Sequence, residues 1–265
     1  MKLLSTIQGH DDLVKLNEEQ RCLLCQEIRE FLISHVSQTG GHLASNLGVV
    51  ELTVAIETVF NTEIDRLVFD VGHQSYIHKL LTGRQTDFER LRMFEGMSGF
   101  PKPHESESDS FVAGHASSSV SIALGMARAR KLTGQKYQVV TLIGDGAATG
   151  GMVYEGLNDA AESKEPMVII LNDNAMSISS NVGGIASYLN LIRTRPGYFK
   201  LKRMFRKFSR KVPGGMAVYR IGHSIKEFFK RHMLGINLFE EMGFQYMGPV
   251  DGHNLDDLIE AFRAA

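Results

Sequence analysis

Two short runs of small and oxygen-bearing residues each follow an apolar run whose composition predicts a buried strand. The first is Gly-Asp-Gly at residues 144–146, after "VVTLI", and the second is Asn-Asp-Asn at residues 172–174, after "MVIIL". A helical pattern between them predicts a right-handed crossover, which brings the carboxyl ends of both strands to one edge of a parallel sheet. Asp145 and Asn174 then offer two oxygens to one Mg²⁺, which keeps its other positions for phosphate and water. We therefore predict a divalent cation clamped to a diphosphate.

The residues around this pair favour a phosphate group. Gly144 and Gly146 allow the backbone to approach a ligand closely. A helix predicted to open at residues 149–151 adds free N–H groups and the positive end of its dipole. A Gly-Asp-Gly run alone also forms ordinary turns. The order of Gly-Asp-Gly, helix, strand and Asn-Asp-Asn is far more specific, and it favours the metal–diphosphate interpretation over two unrelated turns.

Three histidines, His42, His73 and His115, each follow a glycine at a predicted loop or strand end. Imidazole titrates near neutral pH, which suits acid–base work in a ligand crevice. The alternative is a set of surface histidines satisfied by water, and three Gly-His pairs make that alternative less favoured. His253 also follows a glycine and is interpreted as a capping or structural residue. The serines at residues 117–119 are interpreted first as N-terminal caps of their helix.

The elements that must position these residues alternate between strands and helices. Strands are predicted in "RLVFDVGH", "YQVVTLIGD", "PMVIILND" and "FQYMGPVDG" (residues 244–252), and helical patterns include "TDFERLRM" (residues 86–93). The main strands are near-continuous apolar runs, as in a parallel sheet covered by helices on both faces. The last predicted helix, "NLDDLIEAFRAA", has Asn254 as its N-cap. The predicted fold class is α/β, with a single diphosphate-binding domain over residues 1–265.

Length and composition limit the classes of protein to which the chain can belong. The chain has 265 residues, 43% hydrophobic content and a formal net charge of -1, which allows one sizeable core. No apolar run reaches the length of a membrane span, and the first residues lack the pattern of a secretory signal or a transit peptide. We therefore expect a cytoplasmic protein with no membrane partner.

The two cysteines, Cys22 and Cys25, form a Cys-x-x-Cys pattern inside an amphipathic helical stretch. A zinc site would need a second pair of ligands, and a thioredoxin-like motif would follow a strand rather than lie in a helix. Two reduced cysteines on a helix are therefore the favoured interpretation, ahead of a redox pair.

Positive charge is concentrated in residues 200–231, which hold 11 of the 29 lysines and arginines against the single acidic residue Glu227. Interleaved phenylalanines leave open an interaction with nucleic acid or a membrane. A solvated, mobile basic insertion at about residues 182–235 is favoured instead, so no nucleic-acid partner is predicted. A third interpretation is that these cations border an anionic ligand.

Several stretches together resemble the 1-deoxy-D-xylulose-5-phosphate synthase family of the transketolase superfamily. They are "GGHLASNLGVVELTVAI", "FDVGHQSYIHKLLTGR", "SGFPK", "GHASSSVSIALGMA", "LNDNAMSISSNVGG" and "PVDGHNL", and they run through the whole chain. The resemblance implies thiamine diphosphate and Mg²⁺ as cofactors. It implies Asp145, Asn174 and the backbone carbonyl of Met176 as metal ligands. It further implies cofactor contacts for His73, Gly114, His115, Ala116, Gly146, Ala147 and Asn174, and catalytic roles for His73 near the reacting carbon and His42 in proton transfer.

The resemblance also implies a reaction. Family members condense pyruvate with D-glyceraldehyde 3-phosphate, release CO2 and form 1-deoxy-D-xylulose 5-phosphate, which feeds isoprenoid, thiamine and pyridoxal biosynthesis. They work as dimers. Two alternatives stay open: a subunit of a split transketolase-like enzyme that transfers two-carbon units between sugar phosphates, and a non-catalytic cofactor-binding module.

The chain departs from the family pattern in side chains and in length. Ala116 stands where the family usually has serine, and Ala148 stands where methionine is frequent. The family's pyrimidine-binding and C-terminal domains, with the glutamate that activates the cofactor, are absent from these residues. We therefore expect the chain to be inactive alone, with the missing pyrimidine-binding half supplied in cis or in trans.

Overall fold

The computed structural model describes residues 2–173 and 238–265. Asn174, Met176 and the basic insertion at about 182–235 lie outside the described residues. The strands are β1 (Arg66–Phe69), β2 (Val139–Gly144) and β3 (Val168–Asn172). The helices are α1 (His10–Val14), α2 (Glu18–Thr39), α3 (Leu43–Leu47), α4 (Val50–Val59), α5 (Tyr76–Leu81), α6 (Ser119–Thr133), α7 (Gly151–Ser163), α8 (Leu238–Glu241) and α9 (Leu255–Ala264). Short 3-10 turns cover Leu3–Thr6, Thr86–Arg90 and Ala147–Thr149.

The chain divides into two compact units. The first comprises Met1–Asn181 with Val250–Ala265, and the second comprises Val182–Pro249. All three strands and every described helix except α8 belong to the first unit. The candidate site is therefore described within the first unit alone.

The three strands form one parallel sheet in the order β1-β2-β3. In β1 and β2, Arg66 is opposite Val139 and Phe69 is opposite Leu142. In β2 and β3, Gly144 is opposite Asn172. The pairs at the carboxyl ends of the strands thus lie side by side along one edge. The predicted parallel sheet is confirmed.

Helices cover both faces of this sheet because alternate strand residues face opposite sides. Leu67 and Phe69 belong to a core that includes buried residues of α2, α4, α5 and α9. Val68, between them, packs instead with Ala123 and Ala127 of α6. This alternation confirms the predicted α/β class with helices on both faces.

Local caps account for where two of the helices begin. Asn17 and Gln20 form a capping box at the start of α2, with each side chain accepting from the other's backbone N–H at 2.9 Å. At the start of α9, Asn254 Oδ1 accepts from the Asp257 N–H at 3.1 Å, which confirms the predicted N-cap. Both caps satisfy N–H groups that have no partner within the helix.

The Cys-x-x-Cys pattern lies on α2, as predicted, and both thiols are free. Cys25 is buried in the main core and Cys22 is exposed. Burial raises the pKa of Cys25 to about 12, with the nearby Glu51 adding to the rise. The Cys25 thiol therefore stays protonated at neutral pH and behaves as a core residue.

Two of the predicted elements are wrong. Residues 244–252 contain no strand, and Pro249, which has no backbone N–H, interrupts the apolar pattern that predicted one. In residues 86–93 only the short 3-10 turn Thr86–Arg90 forms instead of an α-helix. A few apolar residues in a short segment do not by themselves distinguish these alternatives.

Candidate active site

The two strand ends predicted to hold a cation lie next to each other. The backbone N–H of Asp145 donates to the carbonyl of Asn172 at 2.9 Å, which continues the β2–β3 pairing by one residue. The Asp145 residue is 7% exposed. Asp173 follows directly on the neighbouring strand. The proximity predicted for these strand ends is therefore present as far as Asp173.

Space and donors for a phosphate are present beside Asp145. A Cβ added to Gly144 or to Gly151 would meet nothing within 4 Å among the described residues. Helix α7 begins at Gly151, and its N-cap Gly150 supplies no side chain to bond the first N–H groups. A 13-residue helix with an open first turn attracts negative charge through those N–H groups and its dipole. The donor set therefore fits an anion such as a diphosphate beside a cation on Asp145.

The loop of Gly114, His115 and Ala116 lies at the same edge and is exposed. The carbonyl of His115 accepts from the N–H of Val71, just after β1, at 3.3 Å. The hydroxyl of Ser117 donates to the carbonyl of Ala147 at 2.8 Å. The loop thus connects the end of β1 with the Gly-Asp-Gly run after β2.

Asp70, which the sequence analysis did not single out, caps helix α6. Its Oδ1 accepts from the Ser117 N–H at 2.8 Å, and its Oδ2 accepts from the Ser119 N–H at 3.1 Å. The predicted capping by the serines themselves is wrong: the N-cap Ser118 makes no side-chain cap, and its hydroxyl donates to the His115 carbonyl. Asp70 directly follows β1 as Asp145 directly follows β2, and that shared position is the signal that could have found it.

His42 and His73 are brought together. Their ring centroids are 5.3 Å apart, and the rings meet edge to face at 76°. His42 directly precedes α3, and His73 lies in the turn between β1 and α5. The Nδ1 of His73 is buried and has no hydrogen-bond partner among the described residues. That nitrogen is available to a ligand.

The surroundings favour neutral imidazoles in this pair. Burial lowers the pKa of His73 below its ordinary value, and the neighbouring His42 lowers it further, whereas Asp70 opposes the change. Burial also lowers the pKa of His42, and Arg92 adds to the effect. Each ring therefore keeps a lone pair at neutral pH, as an acid–base group requires. His115 does not join this pair.

His253 lies apart from the histidine pair and makes a structural contact. Its Nδ1 is 3.1 Å from Glu51 Oε2, and the same oxygen accepts from Arg29 at 2.6 Å. This contact links the turn before α9 to α4 and α2. The structural interpretation of His253 is consistent with these contacts.

A buried group of charged side chains ties the loop of residues 98–109 to α4 and α5. His78 bonds through one ring nitrogen to Glu57, at 2.5 Å, and through the other to Asp109, at 2.9 Å. Arg84 holds Asp109 through two donors at 2.8 and 2.9 Å, and Lys79 donates to Glu105 at 2.6 Å. These contacts fix residues of the loop that lie far from α5 along the chain.

The same loop reaches the turn that carries His73. A Cβ added to Gly72 would lie 2.7 Å from Pro101 Cδ and 2.7 Å from Ala113 Cβ. The backbone N–H of Lys102, next to Pro101, donates to Asp109 at 2.6 Å. The charged group therefore helps to seat the loop against the Gly72–His73 turn.

No three His, Cys, Asp or Glu side chains converge on a common metal position in residues 2–173 and 238–265. A magnesium ion bound through one carboxylate, a carbonyl and phosphate oxygens needs no such cluster. Within the same ranges, none of the helices has the length and apolar character needed to cross a bilayer.

Comparison with known proteins decides the family. The family model for 1-deoxy-D-xylulose-5-phosphate synthase matches residues 4–265. The chain belongs to this family. Among the curated synthases, that of Alkaliphilus oremlandii is 50% identical over 263 residues, and that of Natranaerobius thermophilus is 51% identical over 265 residues. These alignments cover 99% and 100% of this chain but 42% of each relative, so the chain spans about two fifths of the relatives' length.

Solved structures support the fold of this family member. A transketolase from Leishmania mexicana matches with a TM-score of 0.63 at 17% identity, over 91% of this chain and 33% of that one. A transketolase variant from Pichia stipitis matches with a TM-score of 0.54 at 16% identity, over 62% of this chain and 29% of that one. At these identities the likeness shows a transketolase-like fold and nothing more.

Proposed function

We propose that this chain is the N-terminal part of a 1-deoxy-D-xylulose-5-phosphate synthase that binds thiamine diphosphate through Mg²⁺. The whole protein condenses pyruvate with D-glyceraldehyde 3-phosphate to 1-deoxy-D-xylulose 5-phosphate and CO2. Membership of the synthase family supports the reaction. The metal and diphosphate site is supported most directly by the hydrogen bond from the Asp145 backbone N–H to the Asn172 carbonyl. This bond aligns the ends of β2 and β3 at one edge of the sheet.

The proposal assigns roles to this chain's own residues. Asp145 ligates the cation, together with Asn174 and the carbonyl of Met176. Gly146, Ala147 and the open first turn of α7 receive the diphosphate, and the Gly114, His115 and Ala116 loop contacts the cofactor. Room beside Gly144, Gly114 and Gly151 supports these assignments, because a Cβ at any of the three would meet no described atom within 4 Å.

Thiamine diphosphate supplies, when bound, a carbon nucleophile for the carbonyl group of a 2-oxo acid. His73 and His42 hold and move protons at the reacting atoms, since both rings are neutral at neutral pH and lie 5.3 Å apart. The half-buried position of His73 limits water at its ring. A pyrimidine-binding half outside these residues completes the site, and the 42% coverage of the relatives supports this.

The alternatives are less well supported. A transketolase-like subunit would match transketolases in sequence, yet identity to them is 17% against about half for the synthases. A decayed binding module would not need a buried aspartate at the end of β2 or two neutral histidines at the same edge. Dimer formation stays a prediction from the family resemblance, and a cytoplasmic location stays a prediction from the sequence.

The first experiment is a calorimetric titration of the full-length protein with thiamine diphosphate, with and without Mg²⁺. We expect Mg²⁺-dependent binding that falls by at least about 100-fold in Asp145→Asn, because an amide carries no charge to hold the cation. Asp159→Asn is the matched control, since Asp159 is exposed on α7 and pairs only with Arg128 in the described contacts. Equal binding by Asp145→Asn and Asp159→Asn would refute the metal assignment.

The substrates that react distinguish a synthase from a transketolase-like enzyme. With pyruvate and D-glyceraldehyde 3-phosphate, we expect CO2 release and formation of the deoxyxylulose product. Ketose phosphate donors should give no transfer of a two-carbon unit. Transfer from a ketose phosphate without reaction of pyruvate would favour the transketolase-like alternative.

A further inference from the structure

The side-chain amide of Asn46 bonds to backbone groups in the two segments that carry His42 and His73. Its Nδ2 donates to the carbonyl of His42 at 2.7 Å and to the carbonyl of His73 at 2.8 Å. Its Oδ1 accepts from the N–H of Tyr76 at 2.9 Å. The residue is 0% exposed. The orientation of the amide is unambiguous, because two partners are acceptors and the third is a donor.

Tyr76 completes this contact from the other side. Its hydroxyl accepts from the backbone N–H of His42 at 3.4 Å. A Cβ added to Gly41, where φ is +144°, would lie 2.7 Å from the same hydroxyl oxygen. The backbone at residues 41–42 therefore rests directly on the buried Tyr76 ring.

Neither histidine lies inside a helix or a strand. His42 is the N-cap of α3, where its carbonyl accepts from the Asn46 N–H at 3.3 Å, and His73 follows β1 by four residues. No helical or sheet hydrogen bond joins the backbones of the two histidines among the described residues. Among the described residues, no side chain other than Asn46 bonds to the backbone of both. A buried amide with all its partners in place resists displacement, because an unmade bond there has no water to replace it.

We propose that Asn46 is a positioning residue that fixes the separation of the His42 and His73 rings for proton transfer. The proposal rests on the proposed function, since it assumes that these two histidines serve the reaction. An apolar side chain of the same size could fill the space, but it could not bond to the carbonyls of His42 and His73.

The separation of the rings has a measurable electrostatic consequence. A proton on His42 disfavours a proton on His73, and this contributes to the lowered pKa of His73. The other charged groups that act on the pair are Arg92, beside His42, and Asp70, beside His73. If Asn46 fixes the separation of the rings, replacing Asn46 weakens the dependence of the pKa of His73 on the protonation of His42.

The test measures each histidine's pKa by mass spectrometry of C2–H exchange across pH 5 to 9, in the full-length protein without cofactor. The proteins compared are wild type, His42→Gln, Asn46→Ala and the double variant. We expect His42→Gln to raise the pKa of His73 in the wild-type background and to change it much less in the Asn46→Ala background. An equal rise in both backgrounds would overturn the proposal.

Thr53→Ala serves as the matched control. Thr53 is fully buried on α4, and its hydroxyl has no partner among the described residues. Its truncation should leave the coupling between the histidines intact. If Asn46→Ala does not fold, Asn46→Ser, which keeps one donor, takes its place in the same comparison.

Steady-state kinetics links the coupling to the reaction. We expect kcat to fall about 10- to 100-fold in Asn46→Ala with a smaller change in the KM for pyruvate, as for a misplacement of about 1 Å. Lost coupling with an unchanged kcat would refute the catalytic part of the inference. Failure of wild type to bind thiamine diphosphate would instead refute the proposed function, and the cofactor-free pKa comparison would still judge the positioning role.

Discussion

At the scale of single residues, Gly72 shows why a glycine precedes His73. Its φ is +88°, a conformation that side-chain-bearing residues rarely adopt, and two chain segments close on the position where a Cβ would be. Pro101 and Ala113 both lie 2.7 Å from that position. The glycine therefore permits the turn that presents the histidine, and it also permits the loop to pack against that turn.

Replacing this glycine should disturb both stability and the site. We expect Gly72→Ala to lower the free energy of unfolding by about 1–3 kcal/mol, from backbone strain and the close contacts together. Urea denaturation of the full-length protein measures the change. Gly125→Ala is a control for which the opposite change is expected. Gly125 lies inside α6 with nothing within 4 Å of an added Cβ, so this variant should raise the free energy of unfolding by about 0.5–1 kcal/mol. Equal stability of the two variants would contradict the explanation.

At the scale of elements, the start of α6 depends on a residue from another strand. Asp70 accepts from the N–H groups of Ser117 and Ser119, which are 47 and 49 residues further along the chain. A carboxylate in this place also favours the positive end of the helix dipole. Because the Gly114–Ala116 loop directly precedes these N–H groups, the cap of α6 also determines where that loop lies.

This cap should therefore affect cofactor binding as well as stability. We expect Asp70→Asn to lower the free energy of unfolding by about 0.5–2 kcal/mol and to weaken thiamine diphosphate binding, as measured by calorimetry. It should also lower the pKa of His73 further, because Asp70 opposes the lowering. Asn254→Ala removes the N-cap of α9 at similar cost and should leave cofactor binding unchanged. Equal weakening of binding by both variants would mean that stability alone explains the effect.

At the scale of the whole molecule, a balanced group of buried charges joins α4, α5 and the loop of residues 98–109. Burial by itself would lower the pKa of His78, but Glu57 and Asp109, one on each ring nitrogen, outweigh burial and raise it. Burial would raise the pKa of the Asp109 carboxyl, yet His78 and Arg84 hold it well below its usual range. The group consists of three basic and three acidic side chains, His78, Lys79, Arg84, Glu57, Glu105 and Asp109.

This group predicts how stability depends on pH. Because the folded-state pKa of His78 lies above its ordinary value of 6.5, its contribution is fully present below pH 6.5 and is lost as the pH rises through the folded value. We expect His78→Gln to lose roughly 3–5 kcal/mol near pH 6, since it leaves buried carboxylates without their partner. The difference from wild type should shrink at higher pH, and urea denaturation between pH 6 and 9 measures it.

The control for this pH dependence is His104→Gln, because His104 is an exposed histidine of the same loop. Its stability profile should follow that of wild type across the whole range. Parallel profiles for wild type and His78→Gln would mean that the charged group does not contribute through the protonation of His78. If His78→Gln does not fold, Thr62→Val takes its place, because it removes a 2.9 Å bond to Glu57 Oε2. This variant should lower the free energy of unfolding by a smaller amount.

Local sequence patterns were enough to predict the strands, most of the helices and the helix cap at Asn254. Apolar runs and their spacing predicted the three parallel strands and the helices on both faces, because burial on each side imposes those patterns. Strand-end position predicted that Asp145 would meet the end of β3, and Asn254 was recognisable as a cap from its place before an apolar helix. The same local reasoning wrongly predicted a strand at residues 244–252, where Pro249 removes a donor.

The residues that support the site from distant parts of the chain could be recognised only in the folded protein. Asp70 caps a helix 47 residues away, Asn46 bonds to His73 at a separation of 27, and His78 meets Asp109 at a separation of 31. Hydrogen bonds of buried polar groups are settled by which backbone and charged atoms the packed core brings within reach, and no local periodicity encodes that choice. For this reason the chemistry of the site could be predicted from the sequence, whereas the residues that hold the site in place became evident only from the fold.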